Sequence, residues 1–505
     1  MGIAFIEPRA DDSRLLQARR YRMVVDGKSV EAQSGETIKR YSPAWPDAVV
    51  GEWPKAVAAD VDKAVAAARR AFDEGPWPRM TNAERSRVMM RISELILEHR
   101  EELAVTESLE IGKTLAGARG EIGYAADCWS FAAGAGRTLA GSTHEQYGHG
   151  ALGLVLREPI GVVGVITPWN YPLILVCERI PWALAIGCTV VVKPSEFTSG
   201  ATIRLAELAR EAGMPDGVFN VVTGFGDPAG MALVEHAAVD MVAFTGSLRV
   251  GRLVGERAAA TVKRVGLELG GKGPQVVFAD ADLDTAVAKI AGSIFDNGGQ
   301  TCIAGSRLIV ERSIAETMLD RLQKRAAAIT VGDPFDERTN IGALISPDHL
   351  KKVEAYVDSG VQAGADVIIG GHRIGANGAS FYEPTIFSGV QPSMSIVRDE
   401  IFGPVLTVLP FDTAEEALAM ANSTIYGLSA GVWTRDLSRA IRTVRGIRAG
   451  RTWINGFGEG GPEMPIGGYK QSGNGREIGQ NGFDEYTEFK SVFVVMPDAE
   501  AANVG

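Results

Sequence analysis

Short runs of valine and isoleucine, bounded by glycine and proline and spaced by segments of helix length, recur through this chain and leave few folds open to it. The first group is Gly161-Val162-Val163-Gly164-Val165-Ile166, Thr189-Val190-Val191-Val192, Val218-Phe219-Asn220-Val221-Val222 and Met241-Val242-Ala243-Phe244. Runs so uniformly apolar leave no face for water, which is what a parallel sheet covered by helices on both sides requires. A second group follows Glu268: Gln275-Val276-Val277-Phe278, Ser306-Arg307-Leu308-Ile309-Val310, Asp366-Val367-Ile368-Ile369 and Val405-Leu406-Thr407-Val408-Leu409. Two α/β lobes are expected, joined near Glu268-Leu269-Gly270-Gly271. From Ala56 to about Leu115, apolar residues fall at helical spacing, so this stretch should be mostly helix. The tail Lys490-Ser491-Val492-Phe493-Val494-Val495 reads as a strand left over once both lobes are complete, free to extend another subunit's sheet.

At 505 residues and 46% apolar content the chain can bury two or three domain cores. Its net charge of −11 and dispersed basic residues argue against a nucleic-acid groove. The 4 cysteines lack paired spacing and the 6 histidines form no cluster, so neither a disulfide framework nor a metal site is expected. Met1 to Tyr21 carries acids and arginines before any apolar run, which fits neither a secretory signal nor a membrane anchor. The expected compartment is the cytoplasm.

Cys302 is unlike the other thiols. It closes Phe295-Asp296-Asn297-Gly298-Gly299-Gln300-Thr301, a small and polar run where a structural thiol would have apolar neighbours. A thiol attacks carbonyls when a base or a positive local field helps it ionise, and adjacent glycines let substrate and a backbone N–H come close. Glu268, between Leu267 and Leu269, must be paired or carry a raised pKa, and a raised pKa suits a general base. The competing reading is a strand-end carboxylate bonded to backbone. In Thr167-Pro168-Trp169-Asn170-Tyr171-Pro172 the asparagine is held between prolines, able to donate to a developing oxyanion, though alone this is a turn. Lys193-Pro194-Ser195-Glu196 follows a strand, at the edge where such sheets bind ligands, and its acid can accept ribose hydroxyls. The competing reading there is a solvated Lys–Glu turn. Phe244-Thr245-Gly246-Ser247-Leu248-Arg249-Val250-Gly251 carries a strand end into a helix whose N–H groups suit a pyrophosphate, without the G-x-G-x-x-G fingerprint.

In order and spacing these segments resemble the aldehyde dehydrogenase superfamily from about Val25 to Val495, its betaine-aldehyde and amino-aldehyde members in particular. Glu400-Ile401-Phe402-Gly403-Pro404-Val405, Asn422-Ser423-Thr424-Ile425-Tyr426-Gly427-Leu428 and Pro465-Ile466-Gly467-Gly468-Tyr469-Lys470-Gln471-Ser472-Gly473 extend the likeness. The resemblance implies two Rossmann-like lobes and a small β oligomerisation element. Residues 1–138 and 159–268 would bind NAD, 269–478 would form the catalytic domain, and 139–158 with 479–505 would bridge subunits of a dimer or tetramer. Cys302 would be the nucleophile, Glu268 the base that activates water, and Asn170 with the Cys302 N–H the oxyanion hole. Lys193 and Glu196 would hold the adenosine ribose, Ser247 the pyrophosphate, Glu400 the nicotinamide ribose, and Phe402 would lie against the nicotinamide. Ile166, Thr167, Pro168, Trp169, Ser195, Gly226, Phe244, Thr245, Gly246, Gly251 and Leu269 would complete the cofactor site. NAD is expected over NADP because Glu196 repels a 2′-phosphate. The implied reaction is thiohemiacetal formation, hydride transfer and thioester hydrolysis.

The chain departs from that pattern after the asparagine. Many relatives place an aromatic residue and a lysine where this chain has Glu178 and Arg179. Arginine does not release its proton in the working range, which leaves Glu477 as the proton acceptor. Glu178 would favour a cationic aldehyde, amino, guanidino or trimethylammonio, unless it pairs with Arg179. The loop Gly456-Phe457-Gly458-Glu459-Gly460-Gly461-Pro462-Glu463-Met464 adds acidity at the expected entrance. Tyr171, Thr301, Phe457 and Glu459 complete the expected substrate residues. The alternatives are a relative that acylates coenzyme A and a catalytically silent protein on the same fold. Relatives of the first kind commonly lack the acid present here as Glu268.

Overall fold

The computed structural model describes residues 2–496 apart from 18, 149, 376 and 377, so positions 497–505 of the expected bridging segment lie outside the described residues. The first sheet runs in the order Arg264–Glu268, Met241–Thr245, Val162–Ile166, Thr189–Lys193, Phe219–Val221, Met23–Val25, Lys28–Val30. Its first five strands are parallel, and their residues are almost all buried, as their composition requires. The edge hairpin turns at Asp26-Gly27, both at positive φ (54° and 69°). That Asp-Gly pair between short apolar runs was a hairpin signal the reading of the valine runs passed over.

Chain order places Val162–Ile166 at the centre, continues on one side through Thr189–Lys193 and Phe219–Val221, then returns to the other side as Met241–Thr245. The connections diverge between Val162–Ile166 and Met241–Thr245. A crevice opens at their carboxyl ends, where open α/β sheets take ligands.

The second sheet has the order Asp366–Ile369, Thr385–Ser388, Val405–Phe411, Arg307–Glu311, Pro274–Val277, Ser429–Trp433, Arg451–Ile454. All its pairings are parallel except the edge strand Asp366–Ile369, which runs antiparallel to Thr385–Ser388. Residues 269–273 carry the chain from the last strand of the first sheet to the first strand of the second. The carboxyl edge of one sheet therefore faces the amino edge of the other across this link.

Helices Ala58–Asp73, Asn82–Glu98, Arg100–Ile111 and Leu115–Ala135 fill the region expected to be helical. The tail strand Thr487–Val495 pairs antiparallel with Ala151–Pro159, which pairs with Ser142–His144, in a three-stranded sheet within the chain. Phe489, Phe493 and Val495 on the tail strand are exposed. No helix among the described residues is long and apolar enough to cross a membrane.

Candidate functional site

The loop after Val162–Ile166 carries Thr167 to Tyr171, and helix Pro172–Cys177 follows, begun by a proline whose missing N–H costs nothing at that position. Asn170 is buried and donates one amide N–H to the Gln300 carbonyl at 2.9 Å. Its own carbonyl accepts from the Asn297 amide at 3.2 Å, and the Tyr171 hydroxyl meets the Thr301 hydroxyl at 2.8 Å. The loop is thus stitched to the segment that ends in Cys302. Trp169 packs edge-on against Phe402 and His349.

That second segment leaves helix Leu283–Phe295 through three left-handed residues, Asn297, Gly298 and Gly299. At Gly299 a Cβ would lie 2.1 Å from the Gly403 carbonyl, so no side chain fits. A Cβ on Gly271 would come within 2.6 Å of the Cys302 carbonyl, which makes the link between the lobes the backing of the thiol. The link also brings Glu268 to the same cavity as Cys302.

Of the two aids to ionisation that a thiol can have, a base or a positive field, the surroundings of Cys302 do not supply the second. Burial first, and then the carboxylates of Glu400, Glu178 and Glu268, push its thiol up to about 12. The resting sulfur is a thiol, and attack requires a base to take its proton. Glu268 is also buried, and its Oε1 has no hydrogen-bond partner. Burial and then Glu477 hold its carboxyl well above the usual carboxylate range, while Arg179 and Arg476 pull it back. Arg179 forms a buried ion pair with Glu477 at 3.1 Å and also contacts the Thr245 hydroxyl. Glu477, which further accepts from Tyr486 at 3.3 Å, is pushed up to about 7 by burial against the pull of Arg179.

The cavity over the thiol encloses about 950 Å³ and is lined by Tyr124, Tyr171, Glu178, Cys302, Arg451 and Phe457 among others. Glu178 does not pair with Arg179. It accepts from the Tyr124 hydroxyl at 3.1 Å, and burial raises its pKa while Tyr124, Arg451 and Arg179 lower it. Phe457 packs on Trp453 with centroids 4.6 Å apart and the rings tilted by 43°. Glu459 corrects an expectation: its carboxylate turns to Lys289, its carbonyl accepts from the Trp453 indole at 2.7 Å, and it does not line the cavity. Tyr124 and Arg451, both lining residues, had no local signal in the sequence; they arrive on helix Leu115–Ala135 and strand Arg451–Ile454, while Asp296 comes with the polar run that ends in Cys302.

The expected cofactor residues gather at the crevice of the first sheet. Ile166 ends its strand and pairs with Phe244, next to last in the neighbouring strand, Leu269 begins the link, and Ser247 caps helix Leu248–Ala258 by accepting from the Val250 N–H at 3.4 Å. That helix points its amino end at the crevice, and Gly251 in its first turn packs so closely on Leu269 that a Cβ would come within 2.5 Å. Glu196 and Glu400 are half-buried, Pro168 flanks Trp169, Gly246 precedes the cap and Gly226 is exposed beside the rim. Glu400 accepts from the Gly271 N–H at 3.0 Å and is pushed up to about 7 by burial. The buried Thr167 hydroxyl has no partner. Two half-buried acids, an orphan hydroxyl and a helix amino end are a donor and acceptor set that fits a dinucleotide. The Lys193 ammonium is buried and donates to the carbonyls of Pro194 and Gly224 at 2.8 and 2.9 Å, which braces its own turn and leaves a third donor. Ser195 braces that turn as well, through the Phe197 N–H at 3.2 Å.

Comparison with known proteins agrees with this geometry. The model of the aldehyde dehydrogenase family matches residues 29–492. The betaine aldehyde dehydrogenase of Bacillus subtilis is 44% identical over 85% of this chain and 88% of its own length. The aminoacetaldehyde dehydrogenase of Pseudomonas aeruginosa is 44% identical over 94% and 95% of the two chains. Among solved structures, the NAD-dependent aldehyde dehydrogenase from Sinorhizobium meliloti superposes with a TM-score of 0.97 and 61% identity, covering 97% of this chain and 98% of the other. A point mutant of betaine aldehyde dehydrogenase from Staphylococcus aureus, solved with NAD+, gives 0.92 and 38% over 94% and 97%.

Proposed function

The chain belongs to the aldehyde dehydrogenase family, and on that footing we propose how its residues oxidise an aldehyde and which aldehydes they favour. It is an NAD-dependent oxidoreductase acting on aldehydes. The observation that carries the residue assignment is the thiol of Cys302 in one cavity with the unpartnered carboxylate of Glu268.

Glu268, with its raised affinity for protons, takes the proton from Cys302, and the sulfur adds to the carbonyl carbon. Negative charge gathers on the oxygen, which meets the Asn170 amide N–H not committed to Gln300 and the Cys302 backbone N–H. NAD, when bound, accepts the hydride of the resulting thiohemiacetal. Thr167, Ser247, Glu196 and Glu400 would hold it. Glu268 passes its first proton to solvent and then draws one from water; the hydroxide attacks the thioester, and the acid leaves as that second proton moves from Glu268 to the Cys302 sulfur. The Arg179–Glu477 pair stands behind Glu268 and sets how tightly it holds protons. A base beside the thioester favours hydrolysis over transfer to coenzyme A. Product analysis with and without coenzyme A tests this.

The preferred substrates are aldehydes bearing an amino or trimethylammonio group. Glu178 supports this as a cavity-lining carboxylate beside Tyr124 and Tyr171, whose faces also attract cations. The relatives named for betaine aldehyde and aminoacetaldehyde point the same way. The test is a panel of aminobutyraldehyde, betaine aldehyde, succinic semialdehyde and an aliphatic aldehyde, followed by NADH formation. If the anionic aldehyde has the highest kcat/KM, the charge assignment is wrong.

The domain division 1–138 with 159–268, 269–478, and 139–158 with 479–505 follows the two sheets and the three-stranded one. The exposed apolar side chains of Thr487–Val495 support a homo-oligomer. The cytoplasm remains the proposed compartment.

A further inference from the structure

Behind the loop that carries Asn170 lies a buried charge cluster that the reaction above does not use. Lys113, only 3% exposed, pairs with Glu121 and places its ammonium 4.2 Å from the centre of the Tyr171 ring. Fully buried Glu107 accepts from the Leu173 backbone N–H at 2.8 Å. The cluster therefore grips the chain on both sides of Pro172, starting at Tyr171, one residue beyond Asn170. A second cavity of about 270 Å³, lined by Lys113, Glu121, Tyr124 and Tyr171, lies against the substrate cavity, and Tyr171 belongs to both walls. The ring is a partition with open space on each side, so packing alone does not fix it. Two polar contacts do: the Lys113 ammonium on its face and the Thr301 hydroxyl on its own hydroxyl at 2.8 Å. Thr301 is bonded through the backbone to Cys302.

We propose that Lys113, balanced by Glu121, is a positioning residue: it holds the Tyr171 ring in the partition, and through the Tyr171–Thr301 hydrogen bond it sets where the Cys302 sulfur and the Asn170 amide stand. A cation on the face of an aromatic ring is stabilising when desolvated, and a small misplacement of reacting groups costs far more in rate than in binding. The effect falls on kcat, because Tyr171, Thr301 and Cys302 line the aldehyde cavity, whereas Glu196, Ser247 and Glu400 stand on other segments.

The inference rests on Cys302 being the nucleophile, and a Cys302→Ser control separates the two: retained turnover there removes that reading itself. The test is a double-mutant cycle of Lys113→Met and Tyr171→Phe, with kcat, the KM for aldehyde and the KM for NAD measured for each protein. Lys113→Met is expected to lower kcat roughly tenfold or more while the KM for NAD stays within about twofold. The double variant is expected to lose little beyond the larger single loss, because both changes cut one chain of contacts. Since Lys113→Met strands Glu121, the cycle is repeated in a Glu121→Gln background. Additive losses, an unchanged kcat, or a parallel fall in NAD affinity overturn the proposal. Failure to fold in both backgrounds does so too, because Lys113 is then a stability residue.

Discussion

The floor and the mouth of the cavity both present carboxylates, yet the two regions are built differently. On the floor, Glu268 ends a strand, Cys302 rests on Gly271, and Glu477 is locked to Arg179 in a buried pair. At the mouth, Glu178 answers to Tyr124 from one helix and Arg451 from a strand of the other lobe, while Glu459 is engaged by Lys289 in an exposed pair. The floor acids act on each other and on Arg179, which sets their proton affinities. Glu178, held by side chains from distant segments, is the proposed selector of substrate.

Variants can break or sharpen that contrast. The largest effect belongs to the floor: Glu268→Gln should cut steady-state turnover by about 10²–10⁴-fold and remove any burst of NADH, because the proton transfers from Cys302 and from water both run through this carboxylate. A full rate in this variant would remove Glu268 as base. Next is Arg179→Met. Activity needs Glu268 and Glu477 free of protons, and burial raises both, so turnover should climb with pH through neutrality. Arg179 lowers both, so its loss should move that climb to higher pH, and a profile that stays in place contradicts the coupling. At the mouth, Glu178→Gln should lower kcat/KM for a cationic aldehyde about tenfold and leave a neutral one nearly unchanged, as expected for a partly desolvated ion pair. The smallest effect is Glu459→Gln. Exposed pairs are worth roughly 0–1 kcal/mol, so kcat/KM should change less than about twofold for every aldehyde, and a selective loss for cations would return Glu459 to the substrate path.

The same contrast explains what the sequence disclosed. The parallel strands declared themselves because residues buried on both faces have to be apolar, and Cys302, Glu268 and Asn170 stood out as reactive or polar groups in settings that packing does not call for. The hairpin at Asp26-Gly27 was equally legible but lay outside the pattern being followed. Tyr124 and Arg451 were not legible: a tyrosine on one helix and an arginine on a distant strand meet Glu178 only after the lobes close, and no spacing along the chain encodes that. The engagement of Glu459 by Lys289 and of Lys193 by two carbonyls was hidden for the same reason. A charged residue declares its sign in sequence, but not the partner that will take it.

The covalent role of Cys302 is tested most directly by trapping. Unmodified protein is mixed with excess aldehyde and NAD, quenched in acid within one turnover and digested, and the peptide containing Cys302 is weighed. The expected result is one acyl group on that sulfur, formed together with NADH and absent when NAD is omitted. An unmodified Cys302 peptide from protein that has produced NADH, or undiminished oxidation by Cys302→Ser, would contradict it.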